Sequence, residues 1–460
     1  MRVLFVTPEC APLAKAGGLG DVSAALPAAL RGLGIEVRVL LPGYSEVLRK
    51  IGGTTEIARF SELGFECRLL QAGDLSIIDC AALYQRDGDP YQDPGGADWP
   101  DNPLRFGLLS KVAARLASEH DMVHCNDWPA ALTPVFLHAA GKPATLLTVH
   151  NLAFQGNFER SWLGRLGIPQ EMFSVEKLEF HGLASFLKGG LVHADAITTV
   201  SPTYAREIQS AEHGCGLDGL LRERSSALSG ILNGIDTAVW DPASDPYLAE
   251  RYDGASLDKK AANKQALQQR LNLEIQPELP LVGFVGRLTH QKGADLFAAA
   301  AAEIAALPAQ LAVLGRGERE LEGALAAAAA RHPGRVAVAL GFNEELAHLI
   351  EGGADLFVMP SRFEPCGLNQ MYSQHYGTPP VARATGGLVD TIVDGETGFL
   401  FEKGNSPSLA AAIRRALAAW REPSRWREIQ RAGMRRDFSW AAAARQYADL
   451  YSRIARDRPR

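Results

Sequence analysis

No C-x-x-C pair occurs among the six cysteines of this 460-residue sequence, so neither a disulfide framework nor a zinc site is expected from them. The chain also lacks any apolar stretch near the roughly 20 residues that span a bilayer. No basic segment followed by an apolar run precedes the first predicted strand, so no leader peptide is expected. Together these absences predict a cytoplasmic protein with reduced thiols.

No strong excess of charge of either sign is present, since 53 acidic residues face 47 basic ones and the net charge is -6. This balance gives no overall attraction to nucleic acid or to an anionic membrane, and neither is expected as a partner. Any anion-binding site must therefore be local. Hydrophobic content of 47% and charged content of 22% are typical of a soluble globular protein. The sequence leaves the oligomeric state open.

Short β-branched runs alternate with helical stretches along the chain. A polar, proline-containing segment at 241–280 separates two series of such runs. Alternating strands and helices indicate parallel sheets covered by helices on both faces, so two doubly wound α/β domains are expected. We expect them to face each other, with ligands bound in the cleft beyond the carboxyl ends of the strands. The predicted strands are 2–7, 35–41, 121–125, 144–149, 195–200, 281–286, 310–314, 335–340 and 355–359.

A glycine-rich segment, Lys-Ala-Gly-Gly-Leu-Gly-Asp-Val at 15–22, follows the first strand. It lacks the G-x-G-x-x-G spacing of a dinucleotide fingerprint, and its lysine precedes the glycines, unlike that of a Walker loop. A glycine pair opening a helix, about residues 18–33, offers backbone N–H groups and the helix dipole to an anion. A plain turn with a solvated lysine is the alternative. The second half repeats the pattern as Thr-Gly-Gly-Leu-Val-Asp-Thr at 385–391, which favours a diphosphate held by both turns.

Two further loops follow predicted strands of the second half. The segment 286–293, Gly-Arg-Leu-Thr-His-Gln-Lys-Gly, places Arg287 and Lys292 in one strand-to-helix loop. Two cations so placed suit a pyrophosphate, although an ordinary surface pair is the alternative. The segment 361–368, Ser-Arg-Phe-Glu-Pro-Cys-Gly-Leu, places Glu364 before a turn. This carboxylate caps a helix or, beside an anion-binding cleft, stabilises developing positive charge.

Polar side chains also end two strands of the first half. Asp127 lies in His-Cys-Asn-Asp-Trp-Pro at 124–129, and His150 and Asn151 lie in Thr-Val-His-Asn-Leu at 148–152. The expected topology brings these residues together. A core histidine with satisfied hydrogen bonds is the alternative for His150.

Eight segments in order along the chain carry a resemblance to a known family. They are KAGGLGDV, DWPDN with RFGLLS, HCNDWPAAL, TVHNLAFQG, LNGID, GRLTHQKG, SRFEPCGL and TGGLVDT. Together they resemble the bacterial glycogen synthases and plant starch synthases, which are retaining glycosyltransferases of the GT-B fold. The resemblance implies a first Rossmann-like domain over 1–240 and a nucleotide-sugar domain over 241–435, facing across a deep cleft. It also implies a C-terminal helix within 436–460 that packs back on the first domain.

The resemblance implies transfer of glucose from ADP-glucose to the non-reducing end of an α-1,4-glucan, with the anomeric configuration retained. ADP-glucose and the glucan are the expected partners, and neither a metal nor another cofactor is expected. The cations would serve the diphosphate, while Glu364 and His150 would hold the glucosyl ring. Catalytic roles are implied for Lys15, Asp127, His150, Arg287, Lys292 and Glu364. Substrate contacts are implied for Lys15, Gly17, Gly18, Asp21, Tyr91, Asn151, Asn233, Arg287, Lys292, Cys366, Gly367, Leu368, Thr385, Gly386 and Gly387.

The Asp-Gly-Asp at 87–89 matches the metal-binding Asp-x-Asp of the other large glycosyltransferase fold. Its setting, Arg-Asp-Gly-Asp-Pro, has the composition of a turn, and we interpret it as one.

The sequence departs from the family pattern in several places, including the stretch 370–376, which leaves the nucleotide preference open. Asn369 replaces the usual threonine, and Ala384 replaces a usual basic residue. Two alternatives remain: another retaining GT-B enzyme that uses a UDP- or GDP-sugar, or a non-catalytic sugar-nucleotide sensor. The first would not be expected to share KAGGLGDV and HCNDWPAAL, and the second could lose Glu364 or Asp127.

Overall fold

The chain forms two compact units in the computed structural model, which describes residues 1–138, 143–306 and 308–457. The N-terminal unit comprises Met1–Gly234 together with the segment that starts at Trp440, and the C-terminal unit comprises Ile235–Ser439. The division expected from the sequence, after residues 240 and 435, lies close to these two points. No helix of the described residues is long and apolar enough to cross a membrane.

The N-terminal unit is built on a nine-stranded sheet with β1 near its centre, in the order β12-β11-β7-β6-β1-β2-β5-β4-β3. Its strands are β1 (Arg2–Val6), β2 (Glu36–Pro42), β3 (Thr55–Glu62), β4 (Phe65–Ala72), β5 (Leu75–Asp79), β6 (Met122–Asn126), β7 (Ala144–Val149), β11 (Ala196–Thr199) and β12 (Leu228–Gly230). A separate three-stranded sheet joins β8 (Asn157–Phe158), β9 (Glu179–Phe180) and β10 (Leu183–Ser185).

The helices of the N-terminal unit connect these strands. They are α1 (Gly18–Gly32), α2 (Ser45–Lys50), α3 (Ala81–Tyr84), α4 (Asn102–Leu116), α5 (Asp127–Ala130), α6 (Leu132–His138), α7 (Trp162–Arg165), α8 (Phe186–His193), α9 (Pro202–Glu207) and α10 (Asp218–Glu223).

One edge of the large sheet corrects the expectation of purely parallel sheets. β4 runs antiparallel to both β3 and β5, whereas the other pairs of this sheet are parallel. β3 and β4 are joined through Leu63 and Gly64, both with positive φ. Two residues with positive φ in a two-residue loop are typical of a hairpin, which joins antiparallel strands. Parallel strands need a much longer crossover connection.

The C-terminal unit contains a six-stranded sheet that is parallel throughout, in the order β15-β14-β13-β16-β17-β18. Its strands are β13 (Leu281–Val285), β14 (Gln310–Gly315), β15 (Val336–Leu340), β16 (Leu356–Met359), β17 (Pro380–Arg383) and β18 (Phe399–Phe401). Its helices are α11 (Lys260–Arg270), α12 (Ala294–Ala306), α13 (Arg319–Arg331), α14 (Glu344–Gly353), α15 (Asn369–His375), α16 (Gly386–Thr391), α17 (Ser406–Trp420) and α18 (Pro423–Met434).

Buried apolar side chains cover both faces of the parallel sheet of the C-terminal unit. Val282 and Phe284 of β13 belong to one core cluster, and Leu281 of the same strand belongs to another. Successive strand residues point to opposite faces, so alternate apolar positions fill the two cores. This explains the near-continuous apolar sequence of these strands.

The last helix, α19 (Trp440–Asp457), packs on the N-terminal unit. Its buried side chains recur every three or four residues, as a helix that buries one face requires. They share a core with Val22, Leu26 and Leu30 of α1. The buried side chains of α19 are Trp440, Ala443, Ala444, Tyr447, Leu450, Tyr451 and Ile454.

Candidate active site

The loop between β1 and α1 is held by a buried carboxylate that no sequence pattern distinguishes. Glu9 is 3% exposed, and its Oε2 accepts hydrogen bonds from the backbone N–H groups of Ala16 (2.7 Å) and Gly17 (2.9 Å). The expected free N–H of Gly17 is therefore occupied by an anion of the chain itself. Space remains over the loop, because a Cβ added at Gly17 or Gly18 would meet no atom within 4 Å.

Lys15 lies at the surface of this loop. Its Nζ is 2.8 Å from Oδ1 of Asp21 in the first turn of α1, and about half of the lysine side chain is exposed. A surface ion pair of this kind is weak and exchanges readily with other anions. The ammonium group is thus placed, but not locked, for contact with a ligand.

Tyr91 completes the same cluster. Its hydroxyl donates a hydrogen bond of 2.6 Å to Oε1 of Glu9. Burial raises the pKa of Tyr91 well above its usual range, and the nearby Glu9 carboxylate adds to the effect. The phenol therefore stays protonated and remains a donor. Both oxygens of Glu9 are engaged, so this residue ties Tyr91 to the glycine loop.

Asp127 is the first residue of α5, directly after β6, and has a left-handed backbone with φ of 55°. Its Oδ1 accepts a hydrogen bond of 2.6 Å from the backbone N–H of His150. Burial raises the pKa of Asp127 to about 7, although the N–H groups of His150 and Asn151 act in the opposite direction. The structure thus brings together the three residues predicted to cluster.

His150 follows β7 and is held in one tautomer. Its Nε2 lies 3.0 Å from Oδ1 of Asn126, whose Nδ2 donates to the carbonyl of Val6 (3.1 Å). Because the Asn126 oxygen can only accept, Nε2 carries the proton and Nδ1 keeps its lone pair. Burial lowers the pKa of His150 to about 3, so the imidazole is neutral near pH 7.

The two asparagines implied as substrate contacts, Asn151 and Asn233, differ in what their side chains do. Oδ1 of Asn151 accepts a hydrogen bond from the backbone N–H of Ala153 at 3.1 Å. Asn233 is buried, and its Oδ1 has no hydrogen-bond partner among the described residues. A buried amide oxygen without a partner is unfavourable, so it is an acceptor available to a ligand.

In the C-terminal unit, the loop that carries Arg287 and Lys292 contacts the loop that carries Glu364. Lys292 Nζ lies 2.6 Å from Oε2 of Glu364, and Ser361 Oγ donates to the same oxygen at 3.0 Å. Glu364 is 5% exposed, and 23% of the Lys292 side chain is exposed. The loops meet because β13 and β16, which precede them, are neighbours in the sheet.

Arg287 belongs to the same loop as Lys292 but is exposed. Its Nη2 makes one long contact, 3.4 Å, with Oε1 of Gln291. The side chain of Asn369, which replaces the usual threonine, is held by a hydrogen bond of 2.8 Å from its Nδ2 to the carbonyl of Val285.

Gly386 and Gly387 are required by the close approach of two loops. A Cβ at Gly386 would lie 1.9 Å from the carbonyl oxygen of Glu364, and one at Gly387 would lie 2.1 Å from that of Cys366. The N–H of Gly387 donates to the Glu364 carbonyl at 3.1 Å. This glycine pair therefore fixes the backbone at Glu364, a contact that the sequence does not reveal.

The remaining residues implied as substrate contacts lie around this junction. Cys366 and Thr385 are buried, and Leu368 is half-buried. Gly367 has a φ of +71°, which suits glycine.

The Asp-Gly-Asp segment forms a turn, as predicted. Asp89 Oδ1 accepts from the backbone N–H groups of Tyr91 and Gln92, each at 2.7 Å. Among the described residues, no group of three or more histidine, cysteine, aspartate or glutamate side chains is arranged to hold a metal ion.

Comparison with known proteins assigns the chain to a family. The starch synthase catalytic domain matches residues 2–223, and the glycosyl transferases group 1 domain matches residues 266–432. The glycogen synthase of Nitrosomonas eutropha is 52% identical, over 98% of this chain and 96% of that protein. The glycogen synthase of Halorhodospira halophila is 49% identical over the whole of both chains. The chain belongs to the glycogen synthase family.

Solved structures agree with this assignment to the glycogen synthase family of glycosyltransferases. The catalytic domain of starch synthase IV from Arabidopsis thaliana, bound to ADP and acarbose, superposes with a TM-score of 0.86. It is 31% identical, with 99% of each chain covered. Sucrose-phosphate synthase from Thermosynechococcus elongatus, with a TM-score of 0.63, 21% identity and 98% of each chain covered, shares the fold. The expected GT-B fold with two Rossmann-like domains is confirmed.

Proposed function

We propose that this member of the glycogen synthase family transfers glucose from ADP-glucose to the non-reducing end of an α-1,4-glucan, with retention of configuration. The observation that carries the proposal is the ion pair of Lys292 and Glu364 in loops that follow two adjacent parallel strands. Ligands of such sheets bind beyond the carboxyl ends of the strands. The ADP and acarbose bound to the Arabidopsis relative support an adenosine-diphosphate donor and a glucan acceptor.

The first chemical requirement is to stabilise the departing diphosphate. Lys292 and Arg287 provide two cations in one loop, and Lys15 provides a third in the N-terminal unit. Fixed charges lower the activation barrier when they are in place before the sugar–oxygen bond lengthens, because the protein then needs no reorganisation during the reaction. We assign these three cations to the diphosphate, and no metal is then needed.

The second requirement is to stabilise positive charge on the glucosyl ring. The transition state of such a transfer is oxocarbenium-like, as in glycosidases. We assign the Glu364 carboxylate to this charge, because it is buried and forms an ion pair with Lys292, which we assign to the diphosphate. Because no second carboxylate is identified as a nucleophile, we favour a front-face reaction in which a diphosphate oxygen helps to deprotonate the acceptor.

The third requirement is to orient the sugar hydroxyl groups. Neutral His150 presents Nδ1 as an acceptor, and Asp127, with its pKa of about 7, lies beside it. Hydrogen bonds to hydroxyl groups need donors and acceptors more than net charge. We therefore assign His150 and Asp127, with Asn151, Asn233 and Tyr91, to sugar binding. We assign Asp21, Gly17 and Gly18 to the donor, with the junction residues Cys366, Gly367, Leu368, Thr385, Gly386 and Gly387.

A four-way assay tests the proposal. Radiolabelled ADP-glucose and UDP-glucose are each offered with glycogen and with short maltooligosaccharides, with and without EDTA. We expect label from ADP-glucose to enter both acceptors and chelation to leave the rate unchanged, because arginine and lysine supply the charge. Transfer from UDP-glucose alone, or a strict dependence on added magnesium or manganese, would contradict the proposal.

A further inference from the structure

A polar cavity of about 350 Å³ lies within the N-terminal unit and is lined by none of the candidate active-site residues. Its walls come from α2, from the segment 84–90 that includes the Asp-Gly-Asp turn, and from Arg105 on α4. Ala14, which precedes Lys15, also lines it. The volume is within the range of small-molecule sites.

Two buried donors line this cavity. Tyr44 is 7% exposed, yet its hydroxyl has no hydrogen-bond partner in the described part of the chain. Burial raises the pKa of Tyr44, so the hydroxyl keeps its proton and can donate. A buried hydroxyl without a partner loses its hydration without compensation. A ligand atom that accepts a hydrogen bond would supply the missing partner.

Arg105 is a buried cation without a carboxylate beside it. It is 1% exposed, and none of the described acidic side chains lies within ion-pair distance of it. Its Nε donates to the Leu83 carbonyl (3.0 Å), and its Nη1 donates to the Pro90 carbonyl (2.9 Å) and to Asn102 Oδ1 (2.7 Å). The described residues provide no acceptor for Nη2. Buried guanidinium groups are normally paired with an anion.

The exposed rim of the cavity carries charges of both signs. Arg49 forms no hydrogen bond or ion pair with any described residue, whereas Arg86 is held by both oxygens of Asp101 at 2.9 and 2.8 Å. Asp87 and Asp89 are exposed at the same rim. The donors without an acceptor among the described residues are therefore Arg49, Nη2 of Arg105 and the Tyr44 hydroxyl, while the rim also offers carboxylate acceptors.

We propose that this cavity binds a small hydroxylated molecule that carries one oxyanion, either a phosphate or a carboxylate. The oxyanion accepts from Arg105 Nη2, from the Tyr44 hydroxyl and from Arg49, whose planar guanidinium suits both groups. The hydroxyl groups of the ligand donate to Asp87 and Asp89. Since Ala14 lines the cavity, the ligand contacts the loop of Lys15 from a site separate from that of the transferred sugar.

Calorimetric titration with three probes tests this site. Glucose 6-phosphate, gluconate and glucose are titrated into the full chain in the presence of saturating ADP, which occupies the proposed diphosphate site. We expect one molecule of glucose 6-phosphate or gluconate to bind per chain, and glucose to bind at least about tenfold more weakly, because charge-assisted hydrogen bonds are lost. The stronger of the first two identifies the oxyanion as phosphate or carboxylate.

Two variants assign the binding to the cavity. Tyr44→Phe keeps the ring and removes only the hydroxyl, and we expect it to weaken the stronger probe about fivefold to tenfold. Arg49→Ala removes an exposed cation, and we expect it to weaken binding of the same probe by about tenfold or more. Arg59→Ala, on β3 and outside the cavity, is the matched control and should change nothing. Thermal unfolding of each variant verifies that it is folded.

The proposal is wrong if the three probes bind equally, if no oxyanion binds, or if ADP abolishes binding by occupying the same site. Affinity unchanged in both Tyr44→Phe and Arg49→Ala would also overturn it. None of these readouts depends on glucosyl transfer, so failure here is separate from failure of the proposed function.

Discussion

Burial shifts the pKa values of two neighbouring side chains of the candidate site, Asp127 and His150, in opposite directions. It raises the pKa of Asp127 to about 7 and lowers the pKa of His150 to about 3. In each case burial disfavours the charged form. Near pH 7 the His150 imidazole is therefore neutral, whereas the Asp127 carboxyl is about half protonated.

Asp127→Asn should stabilise the protein at alkaline pH. The folded-state pKa of about 7 lies above the usual value of 3.8, so the folded chain retains a proton that the unfolded chain releases between these values. Stability is consequently lost as the pH rises through this interval, and asparagine removes the loss. Asparagine also tolerates the left-handed backbone at this position. We expect the gain in unfolding free energy to be about 2–3 kcal/mol larger at about pH 8 than at about pH 5.

Urea unfolding at the two pH values measures this difference. Asp121→Asn is the matched control, because the backbone N–H of Arg2 holds the pKa of Asp121 below its usual range. Its effect should be nearly the same at both pH values. An equal effect of Asp127→Asn at the two pH values would show that its carboxyl is not shifted as described.

Gly386→Ala should disrupt the junction that fixes the backbone at Glu364. The new Cβ would overlap the Glu364 carbonyl, and the φ of +46° is unfavourable for alanine. We expect a loss of about 2 kcal/mol or more in thermal unfolding. Gly323→Ala on α13 is the control: nothing lies within 4 Å of its Cβ, and alanine should stabilise the helix by about 0.5–1 kcal/mol. Similar effects of the two changes would contradict the close approach.

Among single residues, sequence patterns identified the candidate site residues but not the contacts that hold them in place. Glycine pairs and strand-terminal cations are visible as patterns, and so Lys15, Lys292 and Gly386 were selected. Glu9 is one acid after a strand, with no pattern to distinguish it, and its contacts with Ala16 and Gly17 exist only in the folded chain. The roles assigned to the selected residues stay predictions.

A buried hydrogen-bond chain connects α19 to the large sheet of the N-terminal unit. The Tyr451 hydroxyl lies 2.7 Å from Nδ1 of His124, and Nε2 of His124 lies 2.6 Å from Oγ1 of Thr148. Thr148 Oγ1 in turn lies 2.6 Å from Oγ1 of Thr198. Burial lowers the pKa of His124 to about 3, so this imidazole is neutral and structural.

Tyr451→Phe should weaken the attachment of α19. It leaves a buried ring nitrogen of His124 without its partner, which costs about 1–3 kcal/mol. Differential scanning calorimetry should show a lower unfolding temperature for Tyr451→Phe and no change for Tyr247→Phe, a control on a tyrosine that is 42% exposed. Equal unfolding temperatures of Tyr451→Phe and the unmodified protein would mean that the chain of hydrogen bonds contributes nothing.

Among the elements, parallel strands were easier to predict than the antiparallel edge. Buried parallel strands such as β13, and β1 after its exposed first residue Arg2, are apolar and stand out in the sequence. β3 is largely exposed and mixes charged with apolar residues, so its composition does not distinguish it from a loop. The turn signal, Leu63-Gly64, was present but weak, since leucine is uncommon at positive φ.

At the scale of the whole molecule, the sequence predicted a two-domain GT-B fold and membership of the glycogen synthase family, and both are confirmed. The family and the GT-B fold were implied by the resemblance of eight ordered segments, whereas the alternation of strands and helices predicted only two α/β domains. What the sequence could not provide was the pairing of side chains within each half. Lys292 and Glu364 are 72 positions apart and meet only because their strands are adjacent.

We assign Glu364 to stabilising charge on the transferred glucosyl group rather than merely to positioning Lys292. The turnover number of Glu364→Gln, measured with ADP-glucose and glycogen beside the dissociation constant of ADP, separates these roles. We expect kcat to fall by about 100-fold or more while ADP affinity changes by less than about threefold. Ser361→Ala, which removes a neutral hydrogen bond to the same oxygen, should reduce kcat much less. Near-normal turnover in Glu364→Gln, or a loss of ADP affinity that matches the loss of turnover, would contradict the claim.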